Sequence, residues 1–234
     1  MAVIDIQKVL GVSPDGWYGD NTHAAYLASG KLLAINWPYL RRKLGGFNQQ
    51  QVDGFLRIVA ACNKPKLRPQ HAAYVLATGW HETAHTMTPI REIGRGRGRP
   101  YGTWLTNSKG EKYAPKNGNR RKPTYYVFAD YPFLYYGQGD VQLTWWHNYK
   151  RATEELGVDF LNNPALALVP EHSADIIVTG SMQGWFTGKS IPDYISYGHY
   201  SEMVDARRVI NGTDKDDMIA RYAKIFLTAL ELVE

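Results

Sequence analysis

A mainly α fold with a small β element, an α+β domain, is predicted from three observations. Apolar residues recur at helical spacing through most of the chain. One stretch, from Gln70 to about Thr86, is apolar nearly all round, as a helix at the centre of a domain must be. Between residues 90 and 134 the pattern gives way to scattered Gly, Arg and Tyr, which reads as loops with a short hairpin near Ser108-Lys109-Gly110-Glu111. The 234 residues suffice for one good-sized domain, alone or with a small appendage. A hydrophobic content of 44% argues for a true core rather than disorder.

The elements follow in order. Ile4, Ile6, Val9 and Leu10 supply a first short helix. Ser13-Pro14-Asp15-Gly16 is a turn signal, after which Asn21 or Thr22 is placed to cap a second helix through Ala24-Ala25-Tyr26-Leu27. Beyond Gly45-Gly46, Asn48 caps a helix running to Cys62, with Val52, Phe55, Leu56, Val59 and Ala60 on one face. Pro65 and Pro69 bound the next loop. The central helix then carries Ala72, Ala73, Val75, Leu76, Ala77 and Trp80, and Pro89 marks its end by disfavouring helix at Thr88. Val141-Gln142-Leu143-Thr144-Trp145 alternates like a strand, with Gln142 and Thr144 on one side. Helices follow near Lys150–Leu156 and Glu171–Trp185. Thr213-Asp214-Lys215-Asp216 resembles a capping box that opens a last helix with Met218, Ile219, Tyr222, Ile225, Phe226, Ala229 and Leu230 in a stripe.

Composition limits the function classes. The single cysteine, Cys62, excludes an internal disulfide and sits in an apolar run as a core filler. The amino terminus lacks a secretion signal pattern and no stretch approaches a membrane span, so a protein made in a cytoplasm is expected. Asn211-Gly212-Thr213 then reads as a turn rather than a glycosylation site. Between Arg91 and Lys122 ten basic residues face two glutamates, a local balance of +8 against +5 for the whole chain. Such a concentration suits an anionic partner. Nucleic acid is disfavoured, because the charge lies in a Gly-rich region without a recognised motif. Gly94, Gly96 and Gly98 do not form a dinucleotide fingerprint, because the final spacing and the flanking strand and helix are missing.

Two segments carry chemistry. Glu82 falls in the last turns of the central helix. An unpaired carboxylate buried there is costly and favours its protonated form, which suits a general acid; the alternative is a surface or structurally ion-paired carboxylate. The same residues spell His81-Glu82-Thr83-Ala84-His85, a match to the zinc-protease pattern HExxH, in which histidines at i and i+4 share a helical face. A third ligand would come from His147, His172 or His199. Farther on, Tyr135-Tyr136-Gly137-Gln138-Gly139-Asp140 runs into the alternating segment, setting polar groups among aromatics as gripping a sugar chain requires. A buried acid together with such a segment points to a glycan-cleaving enzyme.

His81-Glu82-Thr83, the run Tyr135 through Tyr149, Asn163-Pro164 and Ile210-Asn211-Gly212, in that order, resemble glycoside hydrolase family 19, the chitinases and related phage and bacterial endolysins. The resemblance covers about residues 48–232. It implies a lysozyme-like, two-lobed helical domain and an inverting, metal-free and cofactor-free hydrolysis by two carboxylates. By the same resemblance Glu82 is the general acid, and Thr144 helps hold the nucleophilic water. Tyr136, Gln142, Trp145, Asn148 and Asn211 meet the sugar chain, and Arg221 matches an arginine of the final helix that pairs with the catalytic acids. Glu92, ten residues after Glu82, matches the base of the endolysin type; Arg91 and Arg95 beside it would keep it ionised. Glu111 is the alternative base.

Residues 1–36 resemble part of a peptidoglycan-binding module, through Ile6-Gln7-Lys8-Val9-Leu10-Gly11 and Asp15-Gly16-Trp17-Tyr18-Gly19; a helix pair packed on the main domain is the other reading. Residues 37–234 form the catalytic domain. The resulting expectation is a monomeric endolysin cleaving β-1,4 bonds of peptidoglycan glycan strands, with anionic envelope polymers as further partners. It would be made in the host bacterial cytoplasm and released through a separate pore. A chitinase acting on chitin oligomers is the alternative.

Overall fold

The computed structural model describes residues 3–96, 101, 109 and 134–234, together with the backbone of 105–106, 112–115 and 125–126. The chain forms two compact units: Met1–Met87 with Ile177–Glu234, and Thr88–Ile176. No helix is long and apolar enough to cross a membrane among the described residues.

The first unit is helical. Its order begins α1 (Val3–Leu10), α2 (Asp20–Ala28), β1 (Leu32–Ile35), α3 (Trp37–Leu44), α4 (Gln49–Asn63) and α5 (Pro69–Glu82). After the second unit, it resumes within α7 (Pro170–Gln183) and continues through α8 (Tyr200–Asp205), a 3-10 turn Ala206–Val209, α9 (Asp216–Ala229) and β7 (Leu230–Val233). The N-terminal stretch is not separate in this architecture: β1 pairs antiparallel with β7, Leu32 opposite Val233 and Ile35 opposite Leu230.

Helix α5 is the axis of this unit. Every residue from Pro69 to Trp80 is buried, and α9 packs along it. Pro69 stands in its first turn, where the missing N–H costs nothing. The capping expected at α4 is present: Gln51 N–H donates to Asn48 Oδ1 and Asn48 N–H to Gln51 Oε1, both at 2.9 Å. Phe55 of α4 stacks on Trp80 of α5 and meets Phe226 of α9, each at 5.5 Å between centroids. Cys62 is a fully buried filler, as expected.

Several boundaries differ from the sequence expectation. α5 stops at Glu82, well before Pro89. Thr83 Oγ1 donates back to Gly79 O at 2.7 Å and accepts Met87 N–H at 3.0 Å, while Ala84 and His85 turn left-handed. The local side chain, not the distant proline, ends the helix. α2 begins at Asp20 after Gly19, so neither Asn21 nor Thr22 is its cap; Thr22 is instead buried and accepts from Gln7 Nε2. α9 starts after a left-handed Lys215 with no side-chain cap, so the Thr213 box does not form.

Gly54 of α4 is set by a close approach. A Cβ there would lie 2.0 Å from Met87 O. That carbonyl also accepts from Arg57 Nη2 at 2.9 Å, and Gln51 Nε2 donates to His85 O at 2.9 Å. Helix α4 thus fastens the turn that follows Glu82.

The second unit holds the β element. β2 (Ile90–Arg91) pairs antiparallel with β6 (Gln138–Gly139). A three-stranded sheet has β3 (Leu105–Thr106), β4 (Lys112–Pro115) and β5 (Tyr125–Tyr126), with β4 in the centre. The β3–β4 pair brackets the hairpin expected near Ser108–Glu111; of that turn only Lys109 is among the described residues. α6 (Trp146–Leu156) ends on a left-handed Gly157, followed by a 3-10 turn Pro164–Leu168 and the start of α7.

Two outcomes are expected. Gly54→Ala, which normally favours a helix, should here destabilise by about 2 kcal/mol through the Met87 overlap, read by urea unfolding. His71, buried in α5, donates through Nε2 to Ile195 O at 2.8 Å in its neutral form. Burial pushes its pKa down from 6.5 to about 4. Because the folded value is the lower one, its stabilising contribution is complete above pH ~6.5 and disappears as pH falls through ~4. Wild-type stability should therefore fall by about 3 kcal/mol more than that of His71→Gln between pH 7 and pH 4; parallel losses would show that His71 does not titrate in this way.

Candidate active site

The predicted catalytic residues are divided between the two units: Glu82 belongs to the first, Glu92 and Thr144 to the second. Each set is built by its own local logic.

In the first unit, the buried body of α5 carries Glu82 at its final position. The carboxylate is not unpaired; of the readings the sequence left open, the structure shows the ion-paired one. Arg207 Nη1 donates to Glu82 Oε1 at 2.8 Å, with the arginine side chain 3% and the glutamate 19% exposed. Arg207 Nε donates to Asp214 O at 2.8 Å. Among the described residues, Glu82 Oε2 has no hydrogen bond, so one oxygen is held and the other is available. Tyr74, on the same helix and electrostatically coupled to this pair, has its hydroxyl pKa pushed up, chiefly by burial. His81 is shifted down by burial, with the Glu82 charge opposing and that of Arg207 assisting.

The arginine on Glu82 is therefore Arg207 rather than Arg221. Arg221, exposed on α9, pairs with Asp217 one turn earlier. A sequence signal for Arg207 existed: it lies four residues after buried Met203 and beside buried Ala206, and a cation on an apolar stripe needs a partner. Asn211 is exposed, and its N–H donates to Arg207 O at 3.0 Å, closing the turn that carries the arginine.

The zinc pattern does not acquire its geometry. His85 lies beyond the helix end with φ of 68° and stacks on Trp80 at 4.4 Å, so His81 and His85 do not share a helical face. Among the described residues no three His, Cys, Asp or Glu side chains are grouped to hold a metal ion.

In the second unit, Glu92 follows β2 and is clamped to Gly137. Glu92 N–H donates to Gly137 O at 2.8 Å, and Gly137 N–H donates to Glu92 Oε2 at 3.0 Å. The expected support from Arg91 and Arg95 is absent: both are exposed, and among the described residues neither forms an ion pair with Glu92. A backbone amide holds this carboxylate in their place. Glu111, the alternative base, lies outside the described residues.

The segment Val141–Trp145 is a turn rather than the expected strand. Gln138 and Leu143 exchange backbone hydrogen bonds at 3.1 and 2.8 Å, and Gln142 at the bend has φ of 54°. The alternation is satisfied differently: Val141 and Leu143 are buried, while Gln142 and Thr144 remain half-buried. Gln142 Nε2 donates to Ile90 O at 3.0 Å and Gly139 O at 3.2 Å, leaving its amide oxygen beside Gly137, where a Cβ would lie 2.8 Å away. Thr144 Oγ1 donates to Gln142 O at 2.6 Å, so this hydroxyl is oriented to accept. Buried Asn148 donates to Thr144 O at 3.0 Å and braces the turn.

Aromatic residues complete this loop system. Trp145 is half-buried with its ring edge-on to Tyr101 at 4.5 Å, and Tyr136 is half-buried with its carbonyl accepting from Tyr149 OH at 2.9 Å. Burial pushes the Tyr149 hydroxyl pKa up, which keeps it a donor. Sequence reasoning passed over Asp140 and Ser173, whose buried side chains join through Ser173 Oγ donating to Asp140 Oδ2 at 2.7 Å and secure the loop after β6. Glu92, Gln142, Thr144 and Asn148 are thus linked through short backbone bridges within one loop system.

Comparison with known proteins bears on both units. Residues 67–193 match the family described as Chitinase class I, glycoside hydrolase family 19. The chain is 38% identical over 52 residues to "Inactive chitinase-like protein 1" of Hevea brasiliensis, a stretch that is 22% of this chain and 15% of that protein's length. The crystal structure of chitinase C from Streptomyces griseus HUT6037 superposes with a TM-score of 0.51 at 19% identity, covering 82% of this chain and 76% of that one. A chitinase C mutant gives 0.50 at 19%, covering 82% and 92%. At such identity these structures speak for the fold. With the family match extending over more than half of its length, from the approach to α5 through the loop system of the second unit, this chain belongs to glycoside hydrolase family 19.

Proposed function

We propose that this protein is an endolysin that hydrolyses β-1,4 bonds of peptidoglycan glycan strands by inversion, with Glu82 as acid and Glu92 as base. The observation that carries the reading is Glu82 itself: an acidic group presented at the end of an otherwise buried helix, one oxygen fixed by a buried arginine and the other unengaged. The unengaged Oε2 is the atom that delivers a proton to the leaving glycosidic oxygen. Arg207 orients the carboxyl and stabilises it after the proton has left. Glu92, fixed by Gly137 N–H through Oε2, accepts a proton from the attacking water at Oε1, and the accepting face of the Thr144 hydroxyl helps orient that water. Inverting hydrolysis in general uses two carboxyls roughly 6.5–9.5 Å apart, enough for one water between them.

Peptidoglycan is favoured by the basic stretch from Arg91 to Lys122, which begins beside Glu92 and suits an anionic envelope. In this reading the protein accumulates in the host bacterial cytoplasm, acts as a monomer and reaches the wall through a separate pore. The Chitinase class I match favours a second reading, cleavage of chitin oligomers by the same acid pair.

Digestion of purified peptidoglycan, with mass analysis of the new reducing ends, separates these readings. Ends in MurNAc are expected, whereas freed peptide amines would reject glycosidase action and cleavage confined to chitin would establish the second reading. Glu82→Gln and Glu92→Gln should each lower kcat/KM by about 10²–10⁴-fold, with activity insensitive to chelators. Retention of anomeric configuration in the first product, read by NMR, would eliminate Glu92 as a base. Arg207→Ala should cost about 3 kcal/mol of stability by stranding a partly buried carboxylate. In a double-mutant cycle with Glu82→Gln, a coupling near zero would show that the pair is incidental.

A further inference from the structure

Helix α5 begins beside a concavity. The first unit contains a concavity of about 520 Å³, lined among others by Asp20, His23, Arg68, His71, Ser196 and Tyr197, within the size range of ligand sites. From His71 to Glu82 the helix rises about 16 Å, so this concavity is separate from the acid. A neighbouring concavity of about 360 Å³ contains Asp15 and Trp17 and shares Gly19 and Asp20 with the first.

Three features show a surface organised in advance. Trp17 is 52% exposed, yet its ring is braced edge-on by Tyr197 at 5.5 Å and His199 at 5.0 Å, so a rigid indole faces solvent. Beneath it, buried Gln7 fastens the loop: Nε2 donates to Asp15 Oδ1 at 2.7 Å and Trp17 O at 3.0 Å, while Oε1 accepts from Gly16 N–H at 2.8 Å. At the rim, Arg68 pairs with Asp20. His23 has one ring nitrogen against Tyr18 OH at 3.3 Å, and among the described residues its other nitrogen has no hydrogen bond.

This chemistry suits a saccharide. A sugar ring offers an apolar face to an aromatic ring and hydroxyls to planar polar side chains, and Trp17 with Asp20, Arg68 and His23 presents both. The two lining cations are engaged: Lys66 Nζ donates to Lys31 O at 2.5 Å and to Gly30 O at 3.3 Å, and Arg68 is paired. Arg68 is paired with Asp20, so its remaining N–H groups can meet a hydroxyl while the charge offered to a polyphosphate strand is reduced.

We propose that the paired concavities form an accessory site for a β-linked chain of N-acetylated amino sugars, built jointly by residues 15–23 and the body of the first unit. Its identification as an amino-sugar site rests on the hydrolase reading above. The site keeps an insoluble polymer on the protein between cleavage events. It is composite, so residues 1–36 alone lack half of it.

The test uses the full chain with Trp17→Ala, Trp17→Tyr and Glu82→Gln. Each is assayed by co-sedimentation with purified peptidoglycan and with chitin, and by cleavage of a short soluble oligosaccharide, with thermal melting as the folding control. Trp17→Ala is expected to bind the insoluble polymer about tenfold more weakly and to degrade it correspondingly more slowly. Soluble cleavage and Tm should be unchanged, and Trp17→Tyr should recover binding. The polymer that shows this dependence identifies the source of the sugar chain. Wild-type binding by Trp17→Ala on both polymers would overturn the site while leaving hydrolysis untouched. Trp17-dependent binding by a wild-type protein that cleaves nothing would support the site and reject the hydrolase reading. If Trp17→Ala lost soluble cleavage in step with binding, the site would not be accessory and the proposal would fail.

Discussion

The pairing of Glu82 with Arg207 is the constraint on which the first unit turns. Burying a charge demands a partner with good geometry, and Arg207 lies 125 positions away in sequence. The chain meets that demand by enclosing α5 with α9 and α4 and by returning a tight turn, Ala206–Val209, to the helix end. An apolar helix alone would need no such return. The acid therefore shapes its surroundings as much as they hold it.

The second unit solves a different problem, placing polar groups on short irregular backbone. Its devices are local and reciprocal: Glu92 with Gly137, Gln142 with Ile90 and Gly139, Thr144 with Gln142, Asn148 with Thr144. Backbone groups that no sheet satisfies are taken up by side chains. Under the proposed function, the remaining atoms of those same side chains are the ones that meet the sugar.

What was legible in the sequence was what short-range physics decides. Asn48 announced the start of α4, and the unbroken apolar run after Pro69 announced a buried helix. Glu82 was visible as a charge at the edge of that run. Its partner was marked only by a place on an apolar stripe, because nothing else local distinguishes Arg207 from Arg208. Val141–Trp145 was misread because alternation records which side chains are buried, and a tight turn with a left-handed residue sorts them as well as a strand does. The helix end at Glu82 was placed too late because Thr83 acts through its hydroxyl, a signal weaker in sequence than Pro89. Arg91 stands beside Glu92 in sequence, but adjacent residues of an extended segment point away from one another; Arg95 lies across a turn and meets Glu92 through its backbone, its N–H donating to Glu92 O at 3.0 Å.

Gln142 deserves a glycine by its backbone angle and is not one. Holding a side-chain-bearing residue in the left-handed region costs of order 1 kcal/mol, and the two anchors made by its amide nitrogen offset that cost while the chain folds. The loop consequently meets a visitor with its freedom already surrendered. Under the proposed function, an encounter there forfeits little further entropy, so discrimination among sugars would rest on shape and hydrogen-bond direction rather than on how readily the loop can be persuaded to settle.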